Sequence, residues 1–240
     1  MLVPGTKVDS SRQALALAER EADIYAAVGV HPNDALTWDT QALQALHALA
    51  ISPRVAAIGE IGLDYYWDAA PPALQQQVLQ AQLALAARVH KPVILHTRDK
   101  QNAVDGPCMQ DELDLVVAWT RALKTQNHPL AQRPGVIHSF SGSLSLAWQA
   151  IEAGFYIGIT GSVTFKNAQT LQALVCALPL ERILIETDSP FLAPHPYRGQ
   201  RNEPAYVALV AHKIAALRGL SPQEVAQTTT ENAARLFGWA

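Results

Sequence analysis

Ala57-Ile-Gly-Glu60-Ile-Gly-Leu-Asp64 sets two carboxylates at the end of an apolar, β-branched run. A short run of this kind reads as a buried parallel strand. Three further runs close in the same manner: His96 follows Pro92-Val-Ile-Leu, His138 follows Gly135-Val-Ile, and Asp188 follows Ile183-Leu-Ile-Glu-Thr. In a β/α barrel the C-terminal strand ends open onto one face, where active sites are built. Glu60, His96, His138 and Asp188 are therefore expected to converge.

Outward from these runs, the pattern alternates regularly. Strands are expected at 24–30, 55–58, 93–95, 136–137, 155–159 and 183–185, with the end of a seventh at Leu2-Val3 before Pro4-Gly5. Helices rich in Ala, Leu and Gln, with apolar residues every three to four positions, are expected over 41–50, 72–89, 112–123, 144–153 and 168–177. Ser10 or Ser11 caps an earlier helix running to about Glu21. Towards the C-terminus, 203–218 and 221–237 read as closing helices, the second opened by Ser221-Pro222-Gln-Glu224 as a capping box. Strands alternating with helices specify an α/β parallel sheet, here a TIM-type β/α barrel forming one domain over residues 1–240. A closed barrel takes eight strands, so the first strand and its helix are expected to be missing at the N-terminal end. Two accounts of this remain open: an internal Met taken as the start, or a shortened chain with two exposed sheet edges.

Composition narrows the function. The 240 residues are 49% hydrophobic, enough for a sizeable core, and the net charge is −3. No broad basic field is available to hold a long duplex, so any nucleic-acid contact is short and local. Cys108 and Cys176 are isolated thiols with no Cys-x-x-Cys spacing, as in proteins of a reducing compartment. The opening Met1-Leu-Val-Pro-Gly-Thr-Lys7 lacks the basic and apolar regions of an export signal, and no run approaches the roughly 20 residues of a membrane span. A cytoplasmic protein without membrane contact is expected, and a monomer.

The four strand-end residues suit divalent cations. Separations of 36, 42 and 50 residues between Glu60, His96, His138 and Asp188 fit one β/α unit for each of the first two steps and two units for the last. Glu60 is able to bridge two cations, His96 and His138 to hold one of them, and Asp188 to hold the other or to take a proton from water. Such a centre ionises water near neutral pH and stabilises charge on an attacked phosphoryl or carbonyl group. Asp64 reads as a supporting or helix-start carboxylate rather than a direct ligand.

Seven segments together carry a resemblance. They are Gly29-Val-His-Pro32, Gly59-Glu-Ile-Gly-Leu-Asp64, Pro92-Val-Ile-Leu-His96-Thr-Arg-Asp99, His138-Ser-Phe-Ser-Gly142, Tyr156-Ile-Gly-Ile159, Glu186-Thr-Asp-Ser-Pro-Phe-Leu192 and Arg201-Asn-Glu-Pro204. In these the chain resembles the TatD family of metal-dependent deoxyribonucleases, within the amidohydrolase-like barrels. The resemblance implies a β/α barrel, one or two divalent ions (Mg, Mn or Zn), and hydrolysis of phosphodiester bonds in DNA, at short or single-stranded ends. Glu60 and Asp188 would be catalytic, and Glu60, His96, His138 and Asp188 would be ligands. The family's opening strand with a His-x-His pair has no counterpart here. Its absence leaves the cation position of Glu60, His96 and His138 with its ligands and the Asp188 position short of them.

Other polar residues carry two readings each. His31, before Pro32, contacts substrate or a water at the centre, or is a loop histidine. Arg98 meets a phosphate or pairs with Asp99. Tyr197, Arg198, Arg201 and Asn202 form a rim after the last strand, where barrels commonly bind phosphate, or they cap the helix that follows. His47, His90, His128, His195 and His212 are assigned no chemistry. Two other functions remain open. The first is an amidohydrolase-like barrel acting on an amide, lactone or other ester, for which no strand-end lysine is available. The second is a degenerate, non-enzymatic module binding a partner through its open sheet.

Overall fold

A computed structural model describes residues 1–239. Seven parallel strands follow one another in space in chain order. They are β1 (Leu2–Pro4), β2 (Tyr25–Val28), β3 (Val55–Asp64), β4 (Val93–Arg98), β5 (Gly135–His138), β6 (Tyr156–Ile159) and β7 (Ile183–Ile185). Each sits beside its chain neighbour because a right-handed crossover helix returns the chain to the next position. The helices are α1 (Val8–Arg20), α2 (Thr40–Ala50), α3 (Pro72–Val89), α4 (Pro107–Thr125), α5 (Leu144–Glu152), α6 (Gln169–Ala177), α7 (Val207–Arg218) and α8 (Pro222–Phe237). This is the sheet of a TIM-type barrel, and the short Leu2-Val3 run is a full member of it. Among the described residues β1 pairs only with β2, and β7 only with β6. A cavity of about 560 Å³ lies between these two edges, lined by Leu2, Pro4, Leu184, Glu60, His138 and Asp188 among others.

Two layers of apolar side chains hold the sheet. Ile58, Ile61, Leu63, Leu95, Ile137 and Ile157 are fully buried in the larger cluster, against α1 to α7. On the inner side Ala27, Ala57, Ile94, Val136, Tyr156 and Leu184 pack with Leu236 of α8, which covers one end of the sheet. Among the described residues no helix is long and apolar enough to cross a membrane.

Several boundaries differ from those the sequence suggests, each for a physical reason. Strand β3 runs on through Glu60 to Asp64, and β4 through His96 to Arg98. Both were expected to stop earlier, because glycines and charges interrupt the apolar runs. Helix α4 begins five residues before its expected start, within a stretch that reads as polar loop. The cap comes from outside the helix: the Asp99 carboxylate accepts hydrogen bonds from the amides of Cys108 (2.8 Å) and Met109 (3.1 Å). Helix α1 starts at Val8 with Lys7 at its cap position, and Ser10 lies in the first turn, accepting from the Lys7 amide. Ser11 does not cap; buried, it bonds the backbone of Gly29 and so ties α1 to the end of β2. Ser221 and Glu224 form the expected capping box at α8.

Candidate metal centre

One residue in β3 explains the centre's geometry. The register between β3 and β4 shifts between Ile58 and Ile61, so three residues of one strand span two of the other. A bulge of this kind re-aims side chains, and here it turns Glu60 inward while Ile58 and Ile61 stay in the core. The Glu60 amide donates to the Gly5 carbonyl at the end of β1 (3.0 Å). Two residues on, Gly62 sits at φ +140°, where an added Cβ would run into the His96 backbone carbonyl of β4 and press on the Glu112 carboxylate at 2.8 Å. A side chain there would part β3 from β4 and from the helix that supports it.

Three imidazoles point at one oxygen. Glu60 Oε1 lies 3.0 Å from His96 Nδ1, 3.9 Å from His31 Nε2 and 4.0 Å from His138 Nε2. In each ring the other nitrogen is already engaged. His31 Nδ1 accepts from the Asn33 amide (3.2 Å), His96 Nε2 meets Asp64 Oδ2 (3.1 Å), and His138 Nδ1 meets Glu186 Oε2 (2.9 Å). For His96 and His138 the fixed nitrogen faces a carboxylate, which decides which way the other points and raises its basicity, the usual support of a ligating histidine; His31 Nδ1 instead accepts, which in the neutral ring leaves the proton on Nε2. Asp188 Oδ1 approaches His138 Nε2 at 3.5 Å from the other side. The backbone of Asp188 is left-handed at φ +58°, a region that Asp tolerates and that strand-end functional residues often occupy.

The pocket stabilises positive charge. Burial pushes the Glu60 carboxyl up, but the hydrogen bond with His96 and the charges of His138 and His96 outweigh it and hold it well below the usual carboxylate range. Burial lowers His96, yet its bonds to Asp64 and Glu60 lift it to about 9. His138 is likewise raised despite burial, by Glu186 and Asp188. His31 falls to about 4, because burial and the neighbouring His96 both oppose its charging. Carboxylates thus outweigh imidazoles here, an environment that favours a bound cation. Imidazole and carboxylate donors on rigid strand ends fit such an ion; His31, Glu60 and His96 each offer an atom within 4.8 Å of the others.

The site residues read from the sequence fall into three groups. Glu60, His96, His138 and Asp188 share the pocket, and His31 lies with them, its ring 4.3 Å from that of His96. Arg98 does not pair with Asp99; its guanidinium lies 3.9 Å from the Tyr66 ring centre and its Nε donates to Asn102 (3.1 Å). Asn202 is 2% exposed, and its amide donates to the carbonyls of Thr187 and Phe191, both at 2.6 Å. That amide staples the loop carrying Asp188. Tyr197 stacks on Tyr206 at 4.4 Å, and Arg201 is exposed on the same loop.

Four polar residues that sequence reasoning passed over hold the site. Glu186 orients His138 and accepts from the Ser139 amide (2.5 Å); its place two residues before Asp188 was the available signal. Gln82 bonds both the amide and the carbonyl of Val30, at 2.7 and 2.9 Å. Gln75 does the same for Asp64, at 2.8 and 2.9 Å. Glu112, fully buried, accepts from the Leu63 amide and the Thr97 hydroxyl.

A parallel β/α sheet whose C-terminal strand ends gather three imidazoles around a carboxylate defines a barrel hydrolase of the metal-dependent kind. Comparison with known proteins gives the family. The model described as TatD related DNase matches residues 1–238. The uncharacterized metal-dependent hydrolase YabD of Bacillus subtilis is 39% identical over 237 residues, covering 99% of this chain and 86% of that protein. The 3'-5' ssDNA/RNA exonuclease TatD of Citrobacter rodentium is 37% identical over 244 residues, with coverage of 99% and 86%. The crystal structure of YjjV, a TatD homologue from Escherichia coli, superposes with a TM-score of 0.84 at 33% identity, over 100% of this chain and 86% of that one. The chain belongs to the TatD family and is a metal-dependent hydrolase of the TatD type.

Proposed function

We propose that the protein hydrolyses phosphodiester bonds in DNA, acting on short or single-stranded ends, as a single-domain monomer of the cytoplasm. The observation that carries this reading is the convergence of His31, His96 and His138 on Glu60 Oε1, with Asp188 on the open side. Similarity to a 3'-5' ssDNA/RNA exonuclease supports the substrate class. Two unpaired cysteines, Cys108 buried and Cys176 exposed, suit a reducing compartment.

Glu60, His96, His138 and Asp188 would hold one or two dications, with His31 as a further donor. Three imidazoles beside carboxylates favour Zn²⁺ or Mn²⁺ over Mg²⁺, which prefers oxygen. A dication held there would supply acidified water and would draw charge from the phosphoryl oxygens. Asp188, at 31% side-chain exposure the most open of the acids, would take the proton of the attacking water as its oxygen bonds to phosphorus, and return it to the leaving nucleoside oxygen as that P–O bond breaks. Glu186 keeps His138 Nδ1 occupied, so that Nε2 remains in the pocket. Asn202 positions the Asp188 loop rather than touching substrate. Arg98, Tyr197 and Arg201 stand on the rim, where they meet the nucleotide chain.

A labelled single-stranded oligonucleotide, incubated with the protein and Mn²⁺, Mg²⁺ or Zn²⁺ in turn, tests this. Metal-dependent release of nucleotides, stopped by a chelator and restored by metal, is expected, with a mass near 26 kDa by light scattering. Hydrolysis of lactones or amides without any cleavage of oligonucleotides would move the assignment to the amidohydrolase-type reaction.

A further inference from the structure

The loop after β3 presents an aromatic pair that the hydrolytic site does not use. Trp67 is 53% exposed, an unusual cost for so large an apolar ring. It is not held loosely: the amides of Tyr66 and Trp67 donate to Asp64 Oδ1 at 2.9 and 3.2 Å, while Asp64 Oδ2 meets His96. The backbone that carries the indole is therefore anchored to the same carboxylate that orients a site imidazole. Tyr66 meets it edge-on, with ring centres 4.9 Å apart and planes at 77°, so Tyr66 stacks on neither face of the indole. Arg98 covers Tyr66 and reaches within 5.9 Å of Trp67. Arg98 lies two residues beyond His96 on β4, hence on the same side of the strand, and Lys100 follows on the rim.

We infer that Trp67, backed by Tyr66 and Arg98, is a stacking platform for one unpaired nucleobase of the strand being cleaved. This rests on the nuclease reading above. An exposed indole beside the held Arg98 guanidinium suits a group that is flat and apolar yet joined to phosphates, which describes a nucleotide. Every base offers a π-face to an aromatic ring, whereas a duplex keeps its bases stacked on each other and presents only its backbone. The platform thus selects single strands without selecting sequence, and it does so in a chain too acidic overall to rely on a basic groove.

The test compares the wild-type protein, Trp67→Ala and Trp67→Phe on a single-stranded oligonucleotide and on the same oligonucleotide with abasic residues at its cleaved end. Trp67→Ala is expected to raise KM for the normal strand about tenfold or more, the size of one lost base stack, with kcat nearly unchanged. Trp67→Phe restores most of the loss. On the abasic strand the three proteins should behave alike. Equal KM values for wild-type and Trp67→Ala on the normal strand would overturn the platform while leaving the nuclease reading intact, and so would an equal loss on the abasic strand. A wild-type protein that cleaves no oligonucleotide with any of the three metals overturns the nuclease reading, and the platform with it. Thermal melting of the variants guards against misfolding, and Trp67→Leu, which keeps apolar bulk without a π-face and is expected to lose as much as alanine, carries the comparison if the alanine variant does not fold.

Discussion

The two flanks of the metal centre are built differently. On the flank of β2, β3 and β4, the strand ends outrun their neighbours, and buried polar side chains replace the missing ladder bonds. Gln82 pairs with Val30, Gln75 with Asp64, and Glu112 with Leu63. Asp64 on this side is 1% exposed. On the flank of β5 and β7, Glu186 and Asp188 are 22% and 31% exposed and border the open cavity. Here a loop staple, Asn202, does the positioning. A buried amide pair has no water to fall back on, so losing it costs stability; a solvent-bordering carboxylate would answer mainly to an ion placed against it. The contrast teaches that one flank is preorganised by the fold, whereas the other is left open to a ligand.

The largest expected effect comes from the residue both flanks share. Glu60→Ala should reduce metal-dependent hydrolysis on the order of 1,000-fold, in the range seen when a main electrostatic stabiliser is removed. Bound metal, counted by atomic absorption, should fall with it; a variant retaining full metal and a tenth of the activity would refute the central place given to this carboxylate.

Next, Glu186→Gln should weaken metal binding about 10- to 100-fold, the usual cost of losing the partner of a ligating histidine. Its melting temperature without metal should stay near wild type, and a large drop there would erase the distinction between flanks.

Gln82→Ala should do the reverse. It leaves the Val30 amide and carbonyl buried and unpaired, at about 1–3 kcal/mol for each group, and denaturant titration reads the loss. Metal affinity of the folded fraction should change little.

A fourth effect is a slope. Burial pushes the Glu112 carboxyl up to about 8, from an ordinary 4.5. Between those values the folded chain holds a proton that the unfolded chain has released, so this residue's contribution is full below about 4.5 and declines as pH rises to about 8. Glu112→Gln keeps an acceptor for the Leu63 amide and turns an amide N–H to the Thr97 hydroxyl oxygen, reversing that bond, and should flatten the decline. An unchanged melting-temperature profile from pH 5 to 8 would show that Glu112 is ionised in the folded protein.

The legible parts of the molecule are those where chemistry interrupts a local pattern. Glu60, His96, His138 and Asp188 stand out because each ends a β-branched run, and a parallel sheet brings such ends together whatever their separation in the chain. Strand β3 was half hidden, since Gly59 and Gly62 look like breakers until the bulge and the close approach to Glu112 are seen. The start of α4 was invisible because its cap, Asp99, lies eight residues before Pro107. Gln75, Gln82 and Glu112 resemble ordinary solvent-facing positions of amphipathic helices; only the backbone groups they meet, distant in sequence, reveal them as supports. His31 was open between two roles because nothing local tells that its ring meets Glu60 and His96, which come from strands distant in sequence.

The single extra residue in β3 makes that strand the least editable part of the chain. Side chains alternate between faces, so deleting or inserting one position before Glu60 would exchange its face with that of Ile61. The carboxylate would then point into hydrocarbon and an isoleucine would sit among three imidazoles, failing catalysis and folding at one stroke. Variation in length is tolerable only past the strand ends, in connections such as the one bearing Trp67, where substrate preference is able to drift while the hydrolytic core stays fixed.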